Sequence, residues 1–281
     1  MSQSHPSLVT AAQQALANQA LNMMDLTRLN DDDCEQRIRT LCQQVVTPFG
    51  CVAAVCVYPR FIEVAKHTLQ ALNVSEQVKI ATVVNFPYGL DSITQVEQDI
   101  KTAIAAGAHE IDLVLPYRQL MAGDSEFAQS MVQAAKAICV EASMTRFPLD
   151  KPIFLKVIIE SGELATGTLI TQASKLAIDG GADFIKTSTG KVAINATLMA
   201  AELMLTAMRD SGKNVGFKAA GGVRTTAEAL QYLQLAAGIM GEDWLTSAHM
   251  RFGASGLLTQ LLASLTEQEA EPASDKNKLG Y

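Results

Sequence analysis

Short apolar runs recur along the chain at nearly constant intervals. They centre on Asp25 (Met23-Met24-Asp25-Leu26), Val55 (Val52 to Tyr58), Val83 (Ile80 to Phe86), Asp112 (Ile111 to Leu115), Lys156 (Ile153 to Ile159), Lys186 (Phe184 to Thr187), Lys218 (Val215 to Ala219) and Phe252 (Arg251 to Ala254). Successive centres lie 30, 28, 29, 44, 30, 32 and 34 residues apart, so one unit is repeated eight times. Runs this short, apolar on both faces, read as strands of a parallel sheet covered by helices. Between them the spacing turns helical, as in Ile93, Val96, Ile100 and Ile104, or Leu164, Leu169, Ala173, Leu176 and Ala177. Ala106-Gly107-Ala108-His109-Glu110-Ile111-Asp112 and Gly180-Gly181-Ala182-Asp183-Phe184-Ile185-Lys186 share one pattern, a helix-ending glycine followed at once by a buried strand. The longer interval before Lys156 holds Arg146-Phe147-Pro148-Leu149-Asp150-Lys151-Pro152, whose prolines mark a loop insertion.

Strand and helix alternating eight times predict an α/β fold of the (β/α)8 barrel type. An open doubly wound sheet would need a glycine-rich nucleotide turn after an early strand, and no Gly-x-Gly-x-x-Gly occurs. Residues 1–20 read as an extra amphipathic helix carrying Leu8, Ala11, Ala12, Ala15 and Leu16, residues 21–266 as the barrel, and 267–281 as a flexible tail ending in Tyr281. The chain's 281 residues suit one such barrel.

Charge breaks into the strands at five places: Asp25, Asp112, Lys156, Lys186 and Lys218. An unpaired buried charge costs several kcal/mol, so something must recover it. Either the lysines merely pair with carboxylates inside the barrel, or they form a site; three lysines at equivalent depth on the fifth, sixth and seventh strands favour the site. Asp112 and Lys186 each lie five residues after the glycine of their repeat and so sit at one height on the fourth and sixth strands. Lys218 neighbours Lys186 across about 4.8 Å of strand spacing. Two ammonium groups about 5 Å apart repel by about 3 kcal/mol at an effective dielectric of about 20, roughly two pKa units on one of them. An uncharged lysine near neutral pH is what imine formation with a carbonyl requires.

Three loops then read as a phosphate cradle. Ser188-Thr189-Gly190-Lys191, Gly221-Gly222-Val223-Arg224 and Gly253-Ala254-Ser255-Gly256 each follow a strand, and the last two open helices whose free N–H groups favour an anion. Thr225 and Glu228 have the spacing of a capping box. Gly190-Lys191 is not part of a Walker A motif, because Ile185 and Val192 occupy its outer positions.

Composition narrows the classes further. With 48% hydrophobic and 18% charged residues the chain has apolar material for a large core. A net charge of −7 argues against a broad basic face for nucleic acid or an anionic membrane. The four histidines, His5, His67, His109 and His249, are scattered without paired spacing, so neither metal nor other cofactor is expected. Cys34, Cys42, Cys51, Cys56 and Cys139 contain no Cys-x-x-Cys, which suits reduced thiols in the cytoplasm. Residues 1–24 lack the basic start of a secretory signal, and no run approaches the ~18 apolar residues of a membrane span.

Leu26-Thr27, Tyr58-Pro59-Arg60-Phe61, Asn85-Phe86-Pro87, Glu110-Ile111-Asp112, Phe184-Ile185-Lys186-Thr187-Ser188-Thr189-Gly190-Lys191 and Gly216-Phe217-Lys218 with Gly221-Gly222-Val223-Arg224 together resemble the deoxyribose-phosphate aldolases. The resemblance covers about residues 20–260 and the terminal tyrosine. It implies metal-independent cleavage of 2-deoxy-D-ribose 5-phosphate to D-glyceraldehyde 3-phosphate and acetaldehyde, in deoxyribonucleoside catabolism. In the family pattern Lys186 would be the Schiff-base lysine, Lys218 the cation depressing its pKa, and Asp112 the proton-handling carboxylate. Gly190, Lys191, Gly221, Gly222, Val223, Arg224, Gly253 and Ser255 would surround the phosphate, with Lys156 and Asp25 completing the polar network. Three positions depart from one branch of the family: Ala219 for a proline, Tyr88 for a histidine, and Gly256 for a second serine, which removes one phosphate hydroxyl.

The family associates a terminal tyrosine with proton transfer at the imine carbon. Reach permits it, since the 15 residues from Glu267 to Tyr281 can extend roughly 50 Å while the last helix descends about 16 Å from the active-site rim. Two other readings share part of the pattern: another imine-forming barrel aldolase such as a transaldolase, and a noncatalytic phosphosugar-binding protein. Partners are expected to be a phosphosugar and aldehydes, with a homodimer as the usual state of a soluble barrel.

Overall fold

The computed structural model describes residues 11–145 and 152–266. Eight parallel strands close into a barrel in chain order: β1 (Met24–Arg28), β2 (Ala54–Val57), β3 (Lys79–Val84), β4 (Glu110–Val114), β5 (Phe154–Ile158), β6 (Phe184–Lys186), β7 (Gly216–Ala220) and β8 (Met250–Ala254), with β8 pairing back onto β1. All eight coincide with the apolar runs of the sequence. Helices follow the strands: α1 (Ala11–Asn22) precedes β1, then come α2 (Glu35–Gln43), α3 (Ile62–Ala71), α4 (Ile93–Ala106), α5 (Tyr117–Met121), α6 (Ser125–Thr145), α7 (Ser161–Leu164), α8 (Gly167–Asp179), α9 (Leu198–Ser211), α10 (Thr226–Met240) and α11 (Leu257–Thr266).

Helix α1 packs on α10 and α11, burying Ala17, Ala20 and Leu21, and the Gln19 side chain donates to the Leu245 carbonyl at 2.7 Å. Of the expected 1–20 helix, residues 1–10, including Leu8, lie outside the described residues. Most of the 44-residue interval belongs to α5 and the 21-residue α6; of the expected insertion, 146–151 lie outside the described residues. The repeat glycine behaves as its position requires in both copies: Gly107 caps α4 at φ 118°, and Gly181 takes the left-handed turn after α8 at φ 96°. A small hairpin, Val46–Thr47 with Gly50–Cys51, was not expected; strands of two residues carry no readable alternation.

The register sets the interior. Following partners once round the barrel returns to the first strand eight residues earlier, the stagger of a tilted eight-stranded barrel. Alternate strands therefore supply successive interior layers of four. The lowest holds Ala54, Glu110, Phe184 and Arg251; the middle Asp25, Ala81, Lys156 and Lys218; the upper Cys56, Asp112, Lys186 and Gly253. Asp112 and Lys186 thus share a height as the repeat predicted. The three lysines do not: the stagger drops Lys156 and Lys218 one layer below Lys186. Seven of these twelve positions carry charged side chains, in a place that apolar branched residues usually fill.

Candidate active site

Charged side chains reach the barrel axis because β4 aims two at it, Glu110 and Asp112, and β5, β6, β7, β8 and β1 one each from layer positions. They interlock. Asp112 Oδ2 accepts from Lys186 Nζ at 2.7 Å and from Lys218 Nζ at 2.8 Å. Asp25 Oδ2 accepts from Lys218 Nζ at 2.5 Å and Lys156 Nζ at 2.8 Å. Lys156 also donates to Glu110 Oε2 and stands 3.4 Å from Asp112 Oδ1. Arg251 closes the lower end, reaching Asp25 Oδ1 at 2.6 Å and Glu110 Oε1 at 3.0 Å, with its guanidinium and the Lys156 ammonium both over the Phe184 ring.

Protonation follows from these contacts. Burial pushes the Asp112 carboxyl up, but Lys156, Lys186 and Lys218 outweigh it and hold the group far below the usual carboxylate range. Asp25 is lowered in the same way against its burial by Lys156, Lys218 and Arg251. Burial depresses Lys218, yet Asp112 and Asp25 raise it above the ordinary lysine value, and Lys156 is likewise raised by Asp112, Asp25 and Glu110. Lys186 alone of the three is lowered: burial is the largest cause, Asp112 opposes it, and Lys218 adds repulsion. Lys218 is thus one depressant of Lys186, and burial is the larger. Asp112 Oδ2 sits between the two ammonium groups and offsets much of their repulsion, so loss of hydration outweighs it.

Above Lys186 opens a cavity of about 230 Å³ at the C-terminal mouth of the barrel. Lys186 is part of its lining, and the walls include Gly190, Lys191, Gly221, Gly222, Val223, Arg224, Gly253 and Ser255, every loop residue expected around a phosphate. The three loops are tied in series: Ala196 N–H donates to the Gly221 carbonyl at 3.2 Å, and Gly221 N–H to the Gly253 carbonyl at 3.3 Å. Thr225 and Glu228 form the full capping box that starts α10. Gly253 has no room for a side chain, since a Cβ there would come within 2.9 Å of the Lys218 stem. The exposed Lys191 and Arg224, with backbone N–H groups at the start of α11, give the mouth the positive character an anion needs.

Asp25, Lys156, Asp112 and Lys218 are fully buried beneath the cavity and do not line it. Asp25 and Lys156 thus hold the network together below any ligand. Asp112 Oδ1 is buried without a hydrogen-bond partner, with the Lys156 ammonium 3.4 Å away. Tyr281 lies outside the described residues.

Several residues escaped sequence reasoning. Thr27, Leu29 and Asn30 also line the cavity, beside Thr189 of the expected cradle loop, and Glu110 and Arg251 complete the charge network. Glu160, fully buried at φ 54°, accepts the Thr189 N–H on its carboxylate at 3.1 Å and so anchors the loop after β6; burial pushes its carboxyl up. Glu110 could have been found by alternation, since it stands two residues from Asp112 and must share its face.

Fold and site together define a (β/α)8 barrel whose cavity floor carries a lysine of lowered pKa. The chain belongs to the DeoC/LacD family of aldolases, whose model matches residues 19–259. A Coccidioides immitis structure described as a candidate deoxyribose-phosphate aldolase is 27% identical, with a TM-score of 0.73 over 89% of this chain and 86% of that one. The apo form of a candidate deoxyribose-phosphate aldolase from Toxoplasma gondii shares the fold at 24% identity, TM-score 0.81, covering 92% of this chain and all of that one. The deoxyribose phosphate aldolase of Aeropyrum pernix, a tetramer, is similar at 20% identity and TM-score 0.67, covering 91% and 93%.

The cradle makes one prediction at Gly256, which lines the cavity at an unstrained φ and whose added Cβ would meet nothing within 4 Å. Gly222, at φ 90°, would be strained by any side chain and is a poorer test. Gly256→Glu should place a carboxylate against the anion, raising KM for a phosphorylated sugar about 30-fold while leaving the unphosphorylated sugar nearly unaffected. Equal losses on both sugars would put the phosphate elsewhere.

Proposed function

We propose that this protein reversibly cleaves 2-deoxy-D-ribose 5-phosphate to D-glyceraldehyde 3-phosphate and acetaldehyde through a Schiff base on Lys186. The observation that carries this reading is the position of Lys186: it is the one network lysine that reaches the cavity and the one whose pKa is lowered. The uncharged amine adds to the aldehyde carbon of the open-chain sugar, and loss of water gives an iminium two bonds from the bond to be broken. A base removes the C3 hydroxyl proton; the C2–C3 electron pair flows into the iminium, releasing glyceraldehyde 3-phosphate and an enamine. Protonation of the enamine carbon and hydrolysis then free acetaldehyde and the lysine. Asp112, bonded to Lys186, is assigned the proton transfers through an intervening water. Gly190, Lys191, Gly221, Gly222, Val223, Arg224, Gly253 and Ser255 hold the phosphate, which orients the reacting carbon.

The fold would serve a transaldolase equally, and the cradle alone would serve a phosphosugar-binding protein. Incubation with glyceraldehyde 3-phosphate and acetaldehyde as the sole donor decides among the three. Deoxyribose 5-phosphate should accumulate; no product with acetaldehyde, but product with a ketose donor, would overturn the reading in favour of a transaldolase. The setting proposed is deoxyribonucleoside catabolism in the cytoplasm, by a homodimer. No helix among the described residues is long and apolar enough to cross a membrane.

Tyr281 is proposed to visit the imine and exchange a proton with the enamine carbon. Deleting Tyr281 should lower kcat and the exchange of acetaldehyde methyl protons with solvent about a hundredfold, within the range of general acid–base contributions, while imine trapping at Lys186 survives. Wild-type exchange in the truncated protein would leave the tail without a part in the chemistry.

A further inference from the structure

Below the reacting lysine, the ion-pair network is unequal in charge. It joins four cationic side chains, Lys156, Lys186, Lys218 and Arg251, to three carboxylates, Asp25, Glu110 and Asp112. With every one of its groups ionised this network would hold one positive charge in excess. Loss of one proton removes it, and the arginine cannot supply that proton because its guanidinium does not deprotonate in proteins. Among the lysines, Lys156 has three carboxylates within 3.4 Å and Lys218 has two, but Lys186 has only Asp112. Lys186 also alone reaches the cavity.

We infer that Glu110 and Arg251, two layers below the site and out of reach of any ligand, are positioning residues that set the proton occupancy of Lys186 through the charge count of the barrel interior. This rests on the reading that Lys186 forms the imine. Arg251 holds one oxygen of Asp25 and both of Glu110, so the remaining Asp25 oxygen is left to Lys156 and Lys218, and these hold Asp112 from below. Remove the arginine, and three cations face three carboxylates with no proton to shed. Remove the charge of Glu110, and the excess grows to two.

The other charged or titratable groups around Lys186 do not reverse the sign. Asp112 on β4, Lys218 on β7, Lys156 on β5 and Asp25 on β1 belong to the count. The Cys56 thiol on β2 is pushed up by burial, away from the thiolate, and so adds no charge. Glu160, just past the end of β5, accepts the Thr189 N–H and also feels the Lys186 ammonium, but burial outweighs both and pushes its carboxyl up; whatever charge it carries is common to every variant.

The test is the pH dependence of imine trapping, with acetaldehyde and cyanoborohydride as the probe and the ethyl group on the Lys186 peptide as the readout. Arg251→Met should move the midpoint of trapping up by about one pH unit, and Glu110→Gln should move it down by about as much. The double variant should return close to the wild type, and Arg251→Lys, which keeps the charge, should not move it. Damage to packing would lower trapping at every pH and would not cancel in the double variant. Should Arg251→Met fail to fold, the fall in Glu110→Gln set against the unmoved midpoint of Arg251→Lys carries the test. Single variants that shift the midpoint in the same direction, or not at all, would overturn the inference and leave the Schiff-base reading standing. A wild-type protein that acquires no ethyl group on Lys186 would overturn both.

Discussion

Lys186→Met should lower cleavage of deoxyribose 5-phosphate by about four orders of magnitude or more, as expected when a nucleophile is removed outright. Methionine matches the lysine stem in length, and Asp112 keeps Lys218 at 2.8 Å, so no carboxylate is stranded in the interior and the fold should persist. Circular dichroism checks the fold and a coupled aldehyde assay checks the rate. Residual cleavage within tenfold of wild type would remove Lys186 from the chemistry.

Lys218→Leu should act on the same amine from outside the cavity. In the native network Lys186 is held below its ordinary pKa by burial first and by the Lys218 ammonium second. In the proposed mechanism the uncharged amine is the reacting form, so activity should fall as pH drops through that lowered value. Deleting Lys218 removes a like charge and leaves Asp112 Oδ2 to Lys186 alone, and both changes favour the ammonium. The pKa therefore rises, and the acid limb of the pH–rate profile should move up by roughly two units, a loss of about a hundredfold at a neutral pH on that limb. An unchanged acid limb would show that burial alone sets the lysine. Lys218→Arg should keep the limb in place, since it preserves the cation if not the geometry.

Much of this architecture can be read from the chain because parallel barrels write themselves as repeated apolar runs, and a charge inside such a run stands out. Asp25, Asp112, Lys156, Lys186 and Lys218 were visible for that reason. Glu110 and Arg251 carry equal weight in the network but lie at the ends of their strands, where a charge is ordinarily a solvated edge residue. Alternation from Asp112 points Glu110 inward, whereas Arg251 has no charged neighbour two residues on and only the register, which closes the barrel with a stagger of eight, sets it in the lowest layer. The same stagger separates Lys156 and Lys218 from Lys186 by a layer, which strand-by-strand counting cannot anticipate. Glycine pairs announced the loops after β6, β7 and β8, whereas Thr27, Leu29 and Asn30 reach the cavity from the end of β1 without any such signal. Glu160 was hidden for a different reason: its left-handed φ is stabilised by tertiary contacts to the loop after β6, and residue type alone does not favour it there.

The proposed Schiff base requires the carbonyl carbon to bond covalently to one particular lysine among three that share Asp25 and Asp112. Borohydride reduction of the wild-type protein with acetaldehyde, followed by peptide mass spectrometry, tests it most directly. A single ethyl group is expected on the peptide containing Lys186, with Lys156 and Lys218 unmodified because both are fully buried beneath the cavity and held as ammonium ions. An ethyl group on Lys218 or Lys156, or a protein left unmodified, would contradict it.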